Sequence, residues 1–350
     1  MPQWAQNRYS TAISDSPKTK RRMGLPAEHE VHQIQMNKTD KKSKKVPRAA
    51  ALHDLSCFGR CALTVIDPVL SAMGVQCVPI PTALLSTHTG GFSGMYFQEL
   101  DDALCGISDH FMRIGLKFDA VYTGFLGSAR QAALIGQFIE RFGADDGSGG
   151  TPLVLVDPVM GDDGELYHTC TPELIAAMRR LCVSADVITP NVTEACLLSG
   201  MTYREALELS DSDPERLGRL LADDLLGMSR GSRLRRVVIT GIRCDGGKKL
   251  ATVSCDASSG GNGELSVFLQ PRIERDYPGT GDIFASVLLG SLLEGLALGE
   301  AAVSASRFSA DCVRNTIDCG ADEPVRNGVI LESLLGSLAD RPRRVAGDNL

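Results

Sequence analysis

From residue 49 onward, short apolar runs alternate with longer stretches whose apolar positions recur every three or four residues. Short runs bounded by Gly, Pro, Asp or Asn read as buried strands, and the longer periodicity reads as helix. Strands are therefore expected at 48–53, 75–79, 120–123, 153–157, 186–188 and 237–240. Helices are expected near 61–73, 97–115, 128–142, 172–182, 191–199 and 213–227. Such alternation predicts an α/β fold, a mainly parallel central sheet with helices on both faces. Segments 249–256 and 264–270 break the alternation and read as a hairpin across the Gly-rich loop 259–263. Residues 281–317 and 326–338 read as helical, and Gly147-Ser148-Gly149-Gly150 as a surface turn, because the alternation continues through it.

The first 48 residues differ in kind. They are polar, lack sustained periodicity and carry eleven Lys/Arg against four Asp/Glu, so a disordered basic tail is expected there. One folded domain is expected over 49–338, and a flexible tail over 339–350. The net charge of −7 leaves −14 on residues 49–350 once the +7 of the tail is set apart. An acidic body argues against nucleic acid as the main partner. The run Lys41-Lys42-Ser43-Lys44-Lys45 reads first as a solvated tail, with an RNA or acidic-protein partner as the alternative. Eleven cysteines, an odd number without CxxC pairs, suggest a reduced cytoplasmic protein. No apolar run reaches the length of a membrane span, and no apolar leader follows Met1.

Candidate chemistry gathers at the carboxyl ends of the expected strands, where open parallel sheets bind ligands. Asp54, Thr123-Gly124-Phe125, Asp157, Thr189-Pro190-Asn191 and Thr240-Gly241 all fall there. The most informative stretch is Pro278-Gly279-Thr280-Gly281-Asp282-Ile283-Phe284, a glycine turn opening an apolar helical run. Unpaired N–H groups at such a helix start favour an anion, and glycines let the backbone approach a phosphate. Asp282 there reads equally as a proton acceptor for an attacking hydroxyl or as a helix cap. Asp157 and Asp162 flank a Pro/Gly turn and suit Mg²⁺ or phosphate duty, with a plain turn as the alternative. Asn191 and Glu194 have capping-box spacing, and Glu194 could also hold a metal-bound water. His88, in Ser86-Thr87-His88-Thr89-Gly90-Gly91-Phe92, could bond a substrate or cap a loop, and Gly90-Gly91 suggests a hinge.

Taken together, these stretches resemble the pyridoxal kinases of the ribokinase-like superfamily. The likeness is carried by residues 53–59, 85–92, 122–127, 157–162, 189–194 and 278–284, in order, and runs from about 49 to about 335. The resemblance implies ATP-dependent phosphorylation of the 5′-hydroxyl of pyridoxal, pyridoxine or pyridoxamine, and a homodimer. It implies that Asp282 is the base and that Gly279, Thr280 and Gly281 form an anion hole. It places Asp157, Asn191, Glu194, Thr240, Gly241 and Thr280 at nucleotide-contacting positions. Asp157, Asp162, Thr189 and Glu194 fall where the family handles Mg²⁺ and a monovalent cation (K⁺ or Na⁺). Asp54, His88, Thr89 and Phe125 fall around the pyridine ring. Three departures stand out: Asp54 where many relatives carry Ser, Phe125 where many carry Tyr, and Tyr277-Pro278 where the superfamily often has Asp-Thr. The rival readings are a hydroxymethylpyrimidine kinase of the same superfamily and a non-catalytic B6-binding protein.

Overall fold

A computed structural model describes residues 45–144, 150–228, 233–261, 263–320 and 323–340. The expected tail before residue 45, most of the 147–150 turn and the tail after residue 340 lie outside the described residues. The chain runs β1 (Arg48–Phe58), α1 (Leu63–Ala72), β2 (Gln76–Thr87), β3 (Phe97–Glu99), α2 (Asp101–Arg113), β4 (Ala120–Thr123), α3 (Ala129–Phe142) and β5 (Leu153–Val156). A small hairpin follows, β6 (Gly161–Asp162) and β7 (Glu165–Leu166), then α4 (Pro172–Val183), β8 (Val187–Ile188), α5 (Val192–Ser199), α6 (Tyr203–Ser210) and α7 (Pro214–Gly227). The last part holds β9 (Arg236–Cys244), β10 (Lys249–Asp256), β11 (Glu264–Pro271), α8 (Thr280–Leu293), α9 (Leu298–Cys319) and α10 (Leu335–Ala339), with 3₁₀ turns at Val325–Asn327 and Glu332–Leu334.

Nine strands form one sheet in the order β11-β10-β9-β8-β5-β4-β1-β2-β3. The six from β9 to β2 are mutually parallel, while β3, β10 and β11 run antiparallel to their neighbours. Strand side chains alternate faces, and the sequence of β1 shows why both faces must be covered. Ala49 and Ala51 pack with Ile66, Leu288 and Ala305 of α1, α8 and α9. Ala50 and Leu52 join the opposite core, with Leu104, Ile135, Leu174, Leu198 and Leu221 of α2, α3, α4, α5 and α7. Residues 283–291 of α8 are all buried, so this helix has no solvent face.

Several boundaries differ from the sequence expectation: β9 runs on to Cys244, and 326–338 is helical only in its two 3₁₀ turns and α10. β1 continues past His53 to Phe58 with a register shift between His53 and Leu55, so Asp54 lies within a strand and does not follow one. β2 continues beyond Pro79 and Pro81, because β3 covers only residues 83–85 and a proline on an uncovered edge forfeits no ladder bond. The helix expected from 97 starts at Asp101; residues 97–99 pair with β2, and Asp101 and Asp102 suit a helix first turn. The helix expected over 281–317 is two helices, separated where Gly295 takes φ 90°. The helix α6 was not anticipated, although Thr202 and Glu205 form a capping box that was legible as Thr-x-x-Glu.

Phe118, Phe138 and Phe142 interlock beneath α3, with ring centroids 4.5–6.0 Å apart. Phe138 is 1% exposed. Phe138→Ala is expected to lower unfolding stability by about 3–5 kcal/mol, measured by urea denaturation, while activity per folded molecule stays near wild type.

Candidate active site

The site is built from the start of α8 outward. Gly279 is the N-cap, with φ 87°, and a Cβ there would lie 2.0 Å from the Arg60 carbonyl oxygen. Only glycine fits that approach. Thr280 Oγ1 donates to the Tyr277 carbonyl (3.1 Å), and no side chain caps the helix. The first N–H groups of α8 are therefore left to an outside acceptor. The capping reading of Asp282 does not hold: it is the third helical residue, and its Oδ2 accepts from the Ala62 N–H at 2.7 Å. Ala62 has φ 49° and ψ −134°, a backbone region that a side chain strains.

Asp282 as a whole is half-buried, yet its carboxylate lies deep enough for desolvation to dominate its titration. Burial, with added repulsion from Asp157 and Asp54, raises its pKa to about 7 against the pull of the Ala62 N–H. That value suits a proton acceptor working near neutrality.

Asp157 follows β5 and is buried, and its Oδ1 accepts from Thr189 Oγ1 at 2.8 Å. Burial lifts its pKa to about 6 against that hydrogen bond. Glu194 is buried too. Its Oε1 accepts from the Met160 N–H (3.1 Å) and its Oε2 from the Asn191 N–H (2.8 Å). Burial first, then the Asp157 charge, raises Glu194 well above the usual carboxylate range. Asn191 Oδ1 accepts from the Glu194 N–H, completing the expected capping box, and Asn191 Nδ2 donates to the Gly161 carbonyl (2.8 Å). These bonds tie the loop after β5 to the start of α5. Both Glu194 oxygens are used on backbone donors, so the group acts on this loop first.

Asp162 sits exposed on the β6–β7 hairpin, beside an Asp163–Arg243 ion pair of 2.7 Å. Thr240 and Gly241 lie within β9 and not at its end; the Thr240 N–H donates to the Pro190 carbonyl, and Gly241 takes φ 73°. Of the expected metal residues, Asp157 and Thr189 are hydrogen-bonded to each other; among the described residues no group of three or more His, Cys, Asp or Glu is placed to hold a metal ion. The arrangement suits a hard cation held mainly by phosphates and water, with one or two carboxylates nearby.

Asp54 is buried, and its Oδ2 accepts from Ser56 Oγ at 2.8 Å. Burial raises its pKa against that bond. Thr89, after β2, is exposed, and Phe125, after β4, is half-buried. His88 is tied up by protein: Nδ1 accepts from the Gly90 N–H (3.0 Å), so Nε2 carries the proton and donates to the Arg326 carbonyl (2.6 Å). Its ring meets the Phe92 edge at 5.0 Å, and the Arg326 guanidinium lies 5.1 Å above the Phe92 ring. His88 thus caps its loop, and Gly91 lies against Arg326, whose Nη1 donates to the Gly91 carbonyl (3.5 Å).

The acidic groups act on one another electrostatically. Burial is the first cause for both Asp282 and Tyr167; Asp157 and Asp54 raise Asp282 further, and Asp162, Glu194, Asp157 and Asp282 raise Tyr167 further. Sequence reasoning missed His53, Ser56 and Ala62. His53 lies buried under Gly124, edge-on to Tyr122 at 4.3 Å, and burial lowers its pKa to about 3. No spacing rule marks these residues. A separate groove of about 910 Å³, between α9 and the β10–β11 hairpin, contains none of the acidic site residues. Asp256 in its wall pairs with Arg236 at the opposite, amino end of β9.

Parallel sheet, glycine-turn helix start and buried carboxylate together define a ribokinase-like small-molecule kinase. The family described as phosphomethylpyrimidine kinase matches residues 67–326. A Bordetella avium pyridoxine/pyridoxal/pyridoxamine kinase is 31% identical over 265 residues, covering 72% of this chain and 79% of its own. Among solved structures, a proposed phosphomethylpyrimidine kinase from Bacteroides thetaiotaomicron, in a form with pyridoxal, has a TM-score of 0.73 and 37% identity, covering 86% of this chain and 98% of its own. Pyridoxal kinase from Lactobacillus plantarum has a TM-score of 0.72 and 30% identity, covering 84% and 97%. The chain belongs to the phosphomethylpyrimidine kinase family, and its similar relatives include pyridoxal kinases.

Two outcomes follow from this geometry. Gly279→Ala is expected to destabilise the fold and abolish activity, read by thermal melting and assay, because the Arg60 carbonyl and φ 87° both oppose a Cβ. Asp282 titrates near 7 when folded against an ordinary 3.8, so the folded state holds its proton more tightly and loses stability as pH rises between those values. Asp282→Asn is therefore expected to raise the melting temperature at pH 8, and to raise it less at pH 5.

Proposed function

We propose that this chain transfers the γ-phosphoryl group of ATP to the 5′-hydroxyl of a B6 vitamer. The observation that carries the reading is Asp282: a buried carboxylate oriented by a backbone N–H at the uncapped start of α8. A B6-binding protein without catalysis would have no use for a base in that place. The kinase relatives and the pyridoxal-bearing neighbour support the same substrate class.

Phosphoryl transfer asks mainly for alignment and for positive potential around the moving group. The N–H groups of Gly281 and Asp282 and the helix dipole supply that potential. Asp282 takes the proton of the alcohol as its oxygen bonds to the γ-phosphorus. The bond from that phosphorus to the bridging oxygen breaks, and ADP leaves with the electron pair. Mg²⁺, held by phosphates and near Asp157 and Asp162, would neutralise charge on the β- and γ-phosphates. Thr189 and Glu194 keep Asp157 and the loop after β5 in place, and a K⁺ or Na⁺ ion near Thr189 fits the same acidic surroundings. Asp54, steadied by Ser56, faces the polar substituents of the pyridine ring. Thr89 and Phe125 flank that ring.

The second reading is a hydroxymethylpyrimidine kinase, favoured by the family description itself. A cytoplasmic setting is consistent with eleven cysteines of which none forms a disulfide among the described residues. Among the described residues no helix is long and apolar enough to cross a membrane. Phe58, Tyr96 and Phe97, exposed near the short β3 edge, suit a homodimer contact.

In a coupled assay with ATP, the chain is expected to consume pyridoxal, pyridoxine or pyridoxamine faster than hydroxymethylpyrimidine; the reverse order would select the second reading. Asp282→Asn is expected to bind ATP normally by calorimetry and to lose about 10²–10⁴-fold in kcat. With Asp282 near 7, kcat/KM of the wild type should fall as pH drops below that value.

A further inference from the structure

The segment 323–332, which meets His88 and Phe92 through Arg326, also grips the loop that carries Ala62. Arg60 is the point of attachment. Its backbone N–H donates to the Asn327 carbonyl (3.1 Å) and pairs in a bridge with Gly328. Its Nε meets Glu332 at 2.7 Å, and its Nη1 meets Glu323 at 3.5 Å. Gly328, at φ 83°, packs so closely that a Cβ would lie 2.8 Å from the Arg60 carbonyl oxygen. That same oxygen forms the wall against Gly279. Two residues on, Ala62 holds Asp282 from a strained backbone conformation. Strain of this kind persists only where the surroundings over-determine it.

We propose that Arg60 is a positioning residue for Asp282: clamped by the segment 323–332, it holds the 59–62 loop in the strained form that presents the Ala62 N–H to the carboxylate. This rests on the reading of Asp282 as proton acceptor. Each ion pair is surface-exposed enough to be weak alone, but both act on one guanidinium whose backbone is already fixed. Release of the guanidinium lets the loop relax toward ordinary φ values. The Ala62 N–H then leaves Asp282, and its charged form loses a stabilising donor. The groups that face Asp282 are Ala62 and Cys61 ahead of α1, Asp54 of β1, Tyr122 of β4, Asp157 after β5 and Tyr167 after β7. Arg60 itself reaches none of the reacting atoms.

The experiment compares wild type, Arg60→Ala, Arg60→Lys and Glu332→Gln as full chains, following kcat from pH 5.5 to 9 with saturating ATP and alcohol, and KM for ATP. The acid limb of kcat is expected to move to higher pH in Arg60→Ala, with kcat at pH 8 down about tenfold to a hundredfold. Arg60→Lys and Glu332→Gln should shift it less, and KM for ATP should stay unchanged. A folded Arg60→Ala whose acid limb overlays the wild type overturns the proposal. Should that variant not fold, an unmoved limb in both other variants overturns it, and a moved limb in either supports it. A wild type inactive on every B6 vitamer and on hydroxymethylpyrimidine overturns the functional reading and this role with it. An active wild type with unmoved limbs overturns the role alone.

Discussion

Burial of carboxylates at one end of a parallel sheet is the constraint around which this molecule is arranged. Asp54, Asp157, Glu194 and Asp282 are all raised by desolvation, and each is answered by a neutral donor of the chain: Ser56, Thr189, the Met160 and Asn191 N–H groups, and the Ala62 N–H. Neutral donors orient a carboxylate without cancelling its charge. The site therefore keeps an unspent negative potential, which a metal–nucleotide complex and an acidic hydroxyl proton can both use. Arg243, a cation of β9, is turned to Asp163 on the exposed hairpin.

The layers around the sheet exist to hold that edge still. Alternation along β1 sends Ala49 and Ala51 to one core and Ala50 and Leu52 to the other, so the strand ends are fixed from both faces. The all-round burial of α8 keeps its first turn from shifting, because any rotation would move nine packed residues at once. Glycine at 279 closes the remaining freedom by letting two backbones touch.

Much of this was legible beforehand, for identifiable reasons. Apolar runs bounded by turn residues marked the parallel strands, because such strands are buried on both faces. The Gly-Thr-Gly-Asp turn marked the helix start, since only glycines allow that approach. The Asn191–Glu194 box was read correctly as a cap because its spacing is local. What escaped depended on distant backbone. Nothing in the letters Cys61-Ala62 says that an alanine sits at positive φ, or that its N–H meets a residue 220 positions away. The same holds for His88: its ring was free to bond a substrate on paper, but Arg326 and Gly90 occupy both nitrogens in space. Proline at 79 misled in the opposite direction, because the shortness of β3, invisible locally, leaves that edge open.

The strand order has a bearing on how the protein is made. With β1 in place, β4, β5, β8, β9, β10 and β11 join one side in the order in which they are encoded. A chain emerging from the ribosome can thus lengthen its sheet by accretion, each strand finding a waiting neighbour. The helix that bears Asp282 comes after all of them and docks against α1, the first helix of the domain. Competence for phosphoryl transfer is consequently acquired late in synthesis, when about the last fifth of the polypeptide returns to the first helix of the domain.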